Sequence, residues 1–208
     1  RRRPGRREDG PVGIGGAIAL AVAGWAFTFG LAWGDFWVKI GLTVAAVTAY
    51  ALACKRPELR FGPRAVLEGL GSAAVIYLVF RVGDALAPLV VPGAAAQVGG
   101  IYGLGEGWPR AGILLLLLFV TGPGEEIFWR GFLQDALQRR LGPLAGYAAT
   151  TAIYGGVHVF SGNLMLTLAA LVAGAFWGGL YLWRRDLASL VVSHSVWSAV
   201  VFAVLPIA

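Results

Sequence analysis

The sequence predicts an all-α protein, a polytopic transmembrane helical bundle of about seven spans, with six to eight as the range. Composition supports this prediction: 58% of the 208 residues are hydrophobic and only 13% are charged. A soluble domain carries about 25% charged residues. Mean hydropathy is also high, at +0.72. The chain therefore has too little polar surface for an ordinary soluble domain.

A further observation is that the chain divides into apolar runs of suitable length. A transmembrane helix needs about 20 predominantly apolar residues. Residues 92–110 interrupt this pattern because they are rich in Gly and Pro and lack apolar periodicity, so we expect a connector or a flexible lid there. Seven spans are predicted, at 12–33, 36–54, 65–91, 111–138, 143–160, 164–183 and 187–206.

The basic residues predict the topology of these spans. Most of the 17 Lys and Arg residues flank the apolar runs, and the net charge is +6. A cytoplasmic N-terminus places residues 1–10, 55–64, 139–140 and 184–185 on one side, as the positive-inside rule requires. The charge therefore indicates orientation, and no nucleic-acid partner is expected. Abundant Ala, Gly and Arg favour a prokaryotic cytoplasmic membrane.

Two adjacent carboxylates stand out in the fourth span. Ionisable residues inside a membrane are expensive and are functional candidates by default. Glu126 and Arg130 are four residues apart, hence on one helix face, with the acid before the base. Glu125 points about 100° away and cannot share this partner as easily. The spacing predicts a paired, supporting Glu126 and a Glu125 that is free to titrate.

The only two histidines, His158 and His194, lie in late apolar spans. Each alone is explained by packing, but with Glu125 they form a plausible set for activating water. Counted from Arg139 and Pro143, Glu125 and His158 lie about 21 to 23 Å from the cytoplasmic ends of their helices, at 1.5 Å per residue. Counted from Arg185, His194 lies only about 13 Å from its own end, so either the last helix is tilted or broken or a predicted boundary is wrong. Cys54 is the only cysteine, which excludes an internal disulfide and a multi-cysteine zinc site.

These residues carry a resemblance to a known family. The chain reads Glu125-Glu126-Ile-Phe-Trp-Arg130, then Tyr154-Gly-Gly-Val-His158, then His194-Ser-Val-Trp-Ser198. It resembles the CPBP family, the CAAX proteases and bacteriocin-processing enzymes that include the Ras-converting endopeptidase. The resemblance covers about residues 110–200. Two positions depart from the family pattern, because Tyr154 replaces the commoner Phe and Ser198 stands where Asn is usual.

The resemblance implies an intramembrane endopeptidase without a covalent intermediate. Glu125 and His158 would hold and deprotonate a water, and His194 with Ser198 would stabilise the oxyanion. Glu126 and Arg130 would fix the helix. No cofactor-binding residue and no metal are predicted. The chain would then divide into a basic tail at 1–10, N-terminal transmembrane helices with an outer loop at 11–109, and a catalytic CPBP-like core at 110–208.

Two alternatives stay open. In a metal-dependent variant Glu125, His158 and His194 would bind zinc, although the usual His-Glu-x-x-His motif is absent. The chain could also be a non-catalytic scaffold or immunity protein of the same fold. The expected partners of the protease are the lipid bilayer and a membrane-anchored or leader-bearing protein or peptide substrate, and the oligomeric state is open.

Overall fold

The computed structural model describes residues 11–207, so the predicted basic tail at 1–10 lies outside the described residues. The described part is helical throughout and contains no β-strand, which confirms the all-α prediction. Its eight helices are α1 (Pro11–Gly30), α2 (Phe36–Cys54), α3 (Pro63–Val90), α4 (Ala94–Gly103), α5 (Arg110–Leu141), α6 (Pro143–Val157), α7 (Leu164–Arg184) and α8 (Leu187–Val204).

Six of these helices are long and apolar enough to cross a membrane: α1, α2, α3, α5, α7 and α8. The seventh predicted span is α6, which has 15 residues and continues as a 3₁₀ turn, His158–Ser161. Polar residues before three of the helices fix where they begin: Asp35 before α2, Asn163 before α7 and Asp186 before α8. Asp35 accepts a hydrogen bond from Val38 N–H at the start of α2, and Asn163 accepts one from Leu166 N–H at the start of α7.

The segment predicted as an aperiodic loop is partly helical, which corrects that expectation. Helix α4 occupies residues 94–103 of the predicted loop 92–110, although residues 93–103 include four glycines. Tertiary contacts hold this helix in place: Gln97 accepts a hydrogen bond from Asn163 Nδ2 through its backbone oxygen and one from Met165 N–H through its side chain. Contacts between helices therefore override the weak helix propensity of glycine here.

Helix α5 carries the paired carboxylates and is not a regular α-helix. Leu117–Thr121 and Ile127–Gln134 are π-helical, and the short segment Gly122–Glu126 between them is α-helical. Pro123 has no N–H to donate and its ring clashes with the preceding turn, which accounts for a wider turn ahead of it. Segments of π-helix are rare in proteins as a whole, but those that occur are often found at functional sites.

Small residues let two helices approach α5 beside the carboxylates. A Cβ at Gly122 would collide with Ser195 of α8, and one at Gly124 would lie 2.6 Å from Thr48 Oγ1 of α2. The two glycines therefore permit close packing of α2 and α8 on either side of α5.

One end of the bundle is held by a cluster of charges around Asp135 of α5. Lys55, Arg139 and Arg185 all donate to its carboxylate, with Arg185 Nη1 2.9 Å from Oδ1. Three chain segments therefore meet at one acidic side chain: the end of α2, the last turns of α5 and the α7–α8 connection. We call this the basic end of the bundle.

Candidate active site

Glu125 lies in the interior of the bundle with one hydrogen-bond donor. The Tyr154 hydroxyl of α6 donates to its Oε2 at 2.9 Å. The other oxygen, Oε1, has no hydrogen-bond partner among residues 11–207. The side chain is almost fully buried, with the residue 8% exposed. One carboxylate oxygen is thus fixed by the protein, and the other remains able to accept a hydrogen bond.

Glu126 has different partners from its neighbour. Arg130 Nη1 and His194 Nδ1 both lie 2.8 Å from its Oε1, so the pair predicted by the i, i+4 spacing is present. The residues Glu126 and Arg130 are 0% and 1% exposed. The Arg130 guanidinium also lies 4.9 Å from the centre of the Tyr154 ring. A buried charge needs such compensation, because an unpaired one would cost several kcal/mol, of the order of 3–5.

His158 is held through both ring nitrogens. The indole N–H of Trp25 in α1 donates to Nε2 at 3.2 Å, and Nδ1 lies 2.7 Å from the backbone oxygen of Tyr154. An indole nitrogen can only donate and a carbonyl oxygen can only accept. His158 is therefore neutral in this arrangement, with its proton on Nδ1. Neither nitrogen can contact water until one of these bonds opens.

The backbone explains how Nδ1 of His158 reaches the oxygen of Tyr154. In a continuing α-helix the N–H of His158 would take that oxygen. Helix α6 ends here, and the N–H of His158 turns to Gly155 instead. The ring of the same residue then satisfies the carbonyl that the helix end leaves free.

His194 lies between Glu126 and a tryptophan. The Trp177 ring of α7 stacks on its imidazole, with 3.9 Å between centroids and 17° between planes. Trp177 is itself fixed, because its indole N–H donates to Ser193 Oγ at 3.0 Å. His194 thus faces Glu126, not Glu125, which the sequence did not predict.

Ser198 lies one turn beyond His194 on α8 and is 5% exposed. Its hydroxyl has no hydrogen-bond partner among the described residues. It is therefore free to donate to a ligand that enters the site.

The last helix is not broken around His194, which lies in a regular α-helical stretch, Leu187–Ala199. The depth estimate took Arg139 as the end of α5, whereas Asp135 is the residue that meets Arg185. From this contact Glu126 lies nine residues along α5 and His194 nine along α8. The two side chains therefore reach the same level without distortion.

The three residues named as alternative zinc ligands do not form a ligand set in this arrangement. Among residues 11–207 no group of three His, Cys, Asp or Glu side chains is placed to hold a metal ion. Both nitrogens of His158 are hydrogen bonded, and Nδ1 of His194 faces Glu126. Zinc binding by Glu125, His158 and His194 would require these contacts to rearrange.

Comparison with known proteins bears on the same part of the chain. Residues 107–200 match the type II CAAX prenyl endopeptidase Rce1-like family. This match confirms the family resemblance that the three motifs predicted. The Rce1-like region includes Glu125, His158, His194 and Ser198, together with α5, α6, α7 and the part of α8 up to residue 200. No curated protein and no solved structure matches the chain.

Besides the contact of His194 with Glu126, three further contacts of the site were not predicted from the sequence. Trp25 lies outside the Rce1-like region, and no local pattern connects it with His158, which is 133 residues away. Tyr154 was noted only as an aromatic residue, although its hydroxyl contacts Glu125. The stacking of Trp177 on His194 was not predicted either. Six helices that are long and apolar enough to cross a membrane, together with the match to the Rce1-like family, indicate an integral, multi-pass membrane protein.

Proposed function

We propose that this chain is an intramembrane endopeptidase that hydrolyses a peptide bond with a water activated by Glu125. The observation that carries the proposal is the division of labour between adjacent carboxylates. Glu126 is committed to Arg130 and His194, whereas Glu125 has only the Tyr154 hydroxyl and keeps Oε1 available. A carboxylate in an apolar site is suited to general base catalysis.

The proposed reaction begins with a water at Oε1 of Glu125. As the water oxygen bonds to the scissile carbonyl carbon, its proton passes to the Glu125 carboxylate. The carbonyl oxygen becomes an oxyanion, which His194 and Ser198 stabilise as hydrogen-bond donors. The C–N bond then breaks, and the proton on Glu125 passes to the leaving amine nitrogen. This restores the carboxylate.

His158 can hold the same water through Nε2 once the Trp25 indole has left that atom. The described arrangement therefore corresponds to a resting state in which the water position on His158 is covered. His194 must likewise carry a proton on Nε2 to donate to an oxyanion. Nδ1 is occupied by Glu126 Oε1, so Nε2 is the nitrogen left for this role.

The substrate class follows from the location of the site. Glu125 is buried within membrane helices, so a scissile bond has to reach it from within or beside the bilayer. A leader-bearing peptide or the anchor of a membrane protein meets this requirement. We place the protein in a prokaryotic cytoplasmic membrane, with the basic end inside, because the basic residues concentrate there.

The test compares the wild type, Glu125→Gln and Glu106→Gln, each expressed in a host lacking the protein. Glu106 is an exposed carboxylate outside the site and serves as a matched control. New protein termini are identified by mass spectrometry of the membrane fraction. We expect termini that persist in Glu106→Gln and vanish in Glu125→Gln.

An identical profile for all three proteins, with equal folded amounts, would refute the proteolytic function. It would favour the non-catalytic alternative, a scaffold or immunity protein of the same fold. Activity that is lost on treatment with a chelator and restored by zinc would favour the metal-dependent variant. In that case Glu125 would act as a ligand and not as the base.

A further inference from the structure

Tyr154 contacts both residues that the proposed reaction places at the water. Its side-chain hydroxyl donates to Glu125, and its backbone oxygen accepts from His158 Nδ1. One contact is made by the tip of the side chain and the other by the backbone of the same residue of α6. A single rigid residue thus sets the distance and angle between the carboxylate and the imidazole.

The ring of Tyr154 has little freedom to move. The Arg130 guanidinium lies over one face, and the rings of Trp129 and His158 make edge contacts, each with 5.1 Å between centroids. Gly174 of α7 provides the space, since a Cβ there would lie 3.0 Å from Tyr154 Cδ1. The hydroxyl is therefore held in place by packing and does not depend on the presence of Glu125.

The charge on Arg130 adds to this arrangement. A cation over an aromatic face draws on the electron density of the ring. A phenol that loses electron density is a stronger hydrogen-bond donor. Because Arg130 also binds Glu126, the two adjacent carboxylates are connected through the Arg130–Tyr154 contact.

We infer that the Tyr154 hydroxyl is a positioning residue for catalysis: it fixes Oε2 of Glu125 and stabilises its ionised form, so that Oε1 presents a lone pair to the water. This role belongs to the hydroxyl and not to the ring, so the Phe that is commoner at this position cannot supply it. The inference rests on the proposed endopeptidase function.

The test uses Tyr154→Phe, which removes one oxygen atom and keeps the ring. The matched control is Tyr147→Phe on the same helix, whose hydroxyl donates to Ala175 O at 3.1 Å, outside the site. Turnover of a substrate identified by the terminal-peptide comparison is measured over a range of pH in detergent micelles. Thermal unfolding of each protein is recorded in parallel.

We expect Tyr154→Phe to lower kcat by about 10- to 100-fold, the range for loss of a hydrogen bond to a charged group. KM should change little, because the hydroxyl contacts Glu125 and not the substrate. The acidic limb of the pH–rate profile should move to higher pH, because ionised Glu125 has lost its donor. Tyr147→Phe should leave both kcat and the profile unchanged.

Two outcomes separate this inference from the function on which it rests. If Glu125→Gln is inactive but Tyr154→Phe keeps the kcat and pH profile of the wild type, the inference is wrong and the endopeptidase stands. If the wild type cleaves nothing, the proposed function fails first. A loss of folded protein would scale the rate equally at every pH, so an unmoved acidic limb would also overturn the inference.

Discussion

The pair of Glu126 and Arg130 provides a direct test of how the site is held together. Replacing Arg130 with Met keeps much of the side-chain volume and removes the charge. The change leaves the carboxylate of Glu126 in the protein interior without its cation. It also removes the weaker bond from Arg130 Nη2 to Gly174 O and the contact with the Tyr154 ring.

The magnitude follows from the burial of the pair. Both residues are at most 1% exposed, so solvent does not screen the charges. Breaking a buried ion pair by removing one partner costs about 3–5 kcal/mol. His194 remains 2.8 Å from the same carboxylate oxygen and can compensate partly as a hydrogen-bond donor. We therefore expect a loss of about 3 kcal/mol in the free energy of unfolding.

The assay is equilibrium unfolding in mixed micelles, followed by tryptophan fluorescence. The double variant Glu126→Gln/Arg130→Met should recover more than half of the loss, because it leaves no uncompensated charge. Arg64→Met is the control, since Arg64 and Glu68 form an i, i+4 pair with the Arg64 side chain 81% exposed. Exposed pairs contribute little to stability, so this variant should resemble the wild type.

The reasoning would be refuted if Arg130→Met unfolded with the free energy of the wild type. It would also be refuted if the double variant were less stable than Arg130→Met alone. The first result would mean that Glu126 is neutral in the folded protein. The second would mean that Glu126 is stabilised chiefly by groups other than Arg130.

Three further predictions concern the site and the basic end. Trp25→Phe removes the indole N–H that donates to Nε2 of His158. Because one hydrogen bond contributes about 0.5–1.5 kcal/mol, kcat per folded enzyme should rise by up to about tenfold. A lower kcat would contradict the resting-state interpretation. Ser198→Ala should lower kcat about 100-fold with KM unchanged, as expected for loss of one oxyanion donor. The kcat of Ser198→Asn should equal or exceed that of the wild type, and single-turnover kinetics measure both variants. Asp135→Asn should destabilise the fold more than Glu58→Gln in thermal unfolding, because Asp135 joins three cations and Glu58 pairs with one exposed Arg60.

Local spacing predicted the part of the site that lies on one helix. Glu126 and Arg130 are four residues apart, and any helix, α or partly π, brings them together. The spans were predictable for a similar reason, because apolar run length is a local property. Helix α4 was missed because its glycines obscure its propensity, and its stability comes from contacts of Gln97 with residues more than 60 positions away.

The contacts that cross between helices could not be predicted in this way. Tyr154 meets Glu125 across 29 residues, and Trp25 meets His158 across 133. Which side chains meet depends on how far each helix is shifted along the bundle relative to its neighbours, and a hydrophobic run does not determine that shift. Knowledge of one polar contact at the end of the bundle, between Asp135 and Arg185, would have fixed the shift between α5 and α8.

The cost of burying charge explains why the two adjacent carboxylates differ. If both Glu125 and Glu126 were left without partners, like-charge repulsion and desolvation would destabilise the folded protein. The protein compensates Glu126 with the cation of Arg130 and Glu125 with the neutral hydroxyl of Tyr154. A neutral donor favours the ionised form without binding it as strongly as a cation would, so Glu125 can both lose and regain a proton during the reaction. The choice of partner, and not the identity of the residue, therefore makes Glu125 the better candidate for the base.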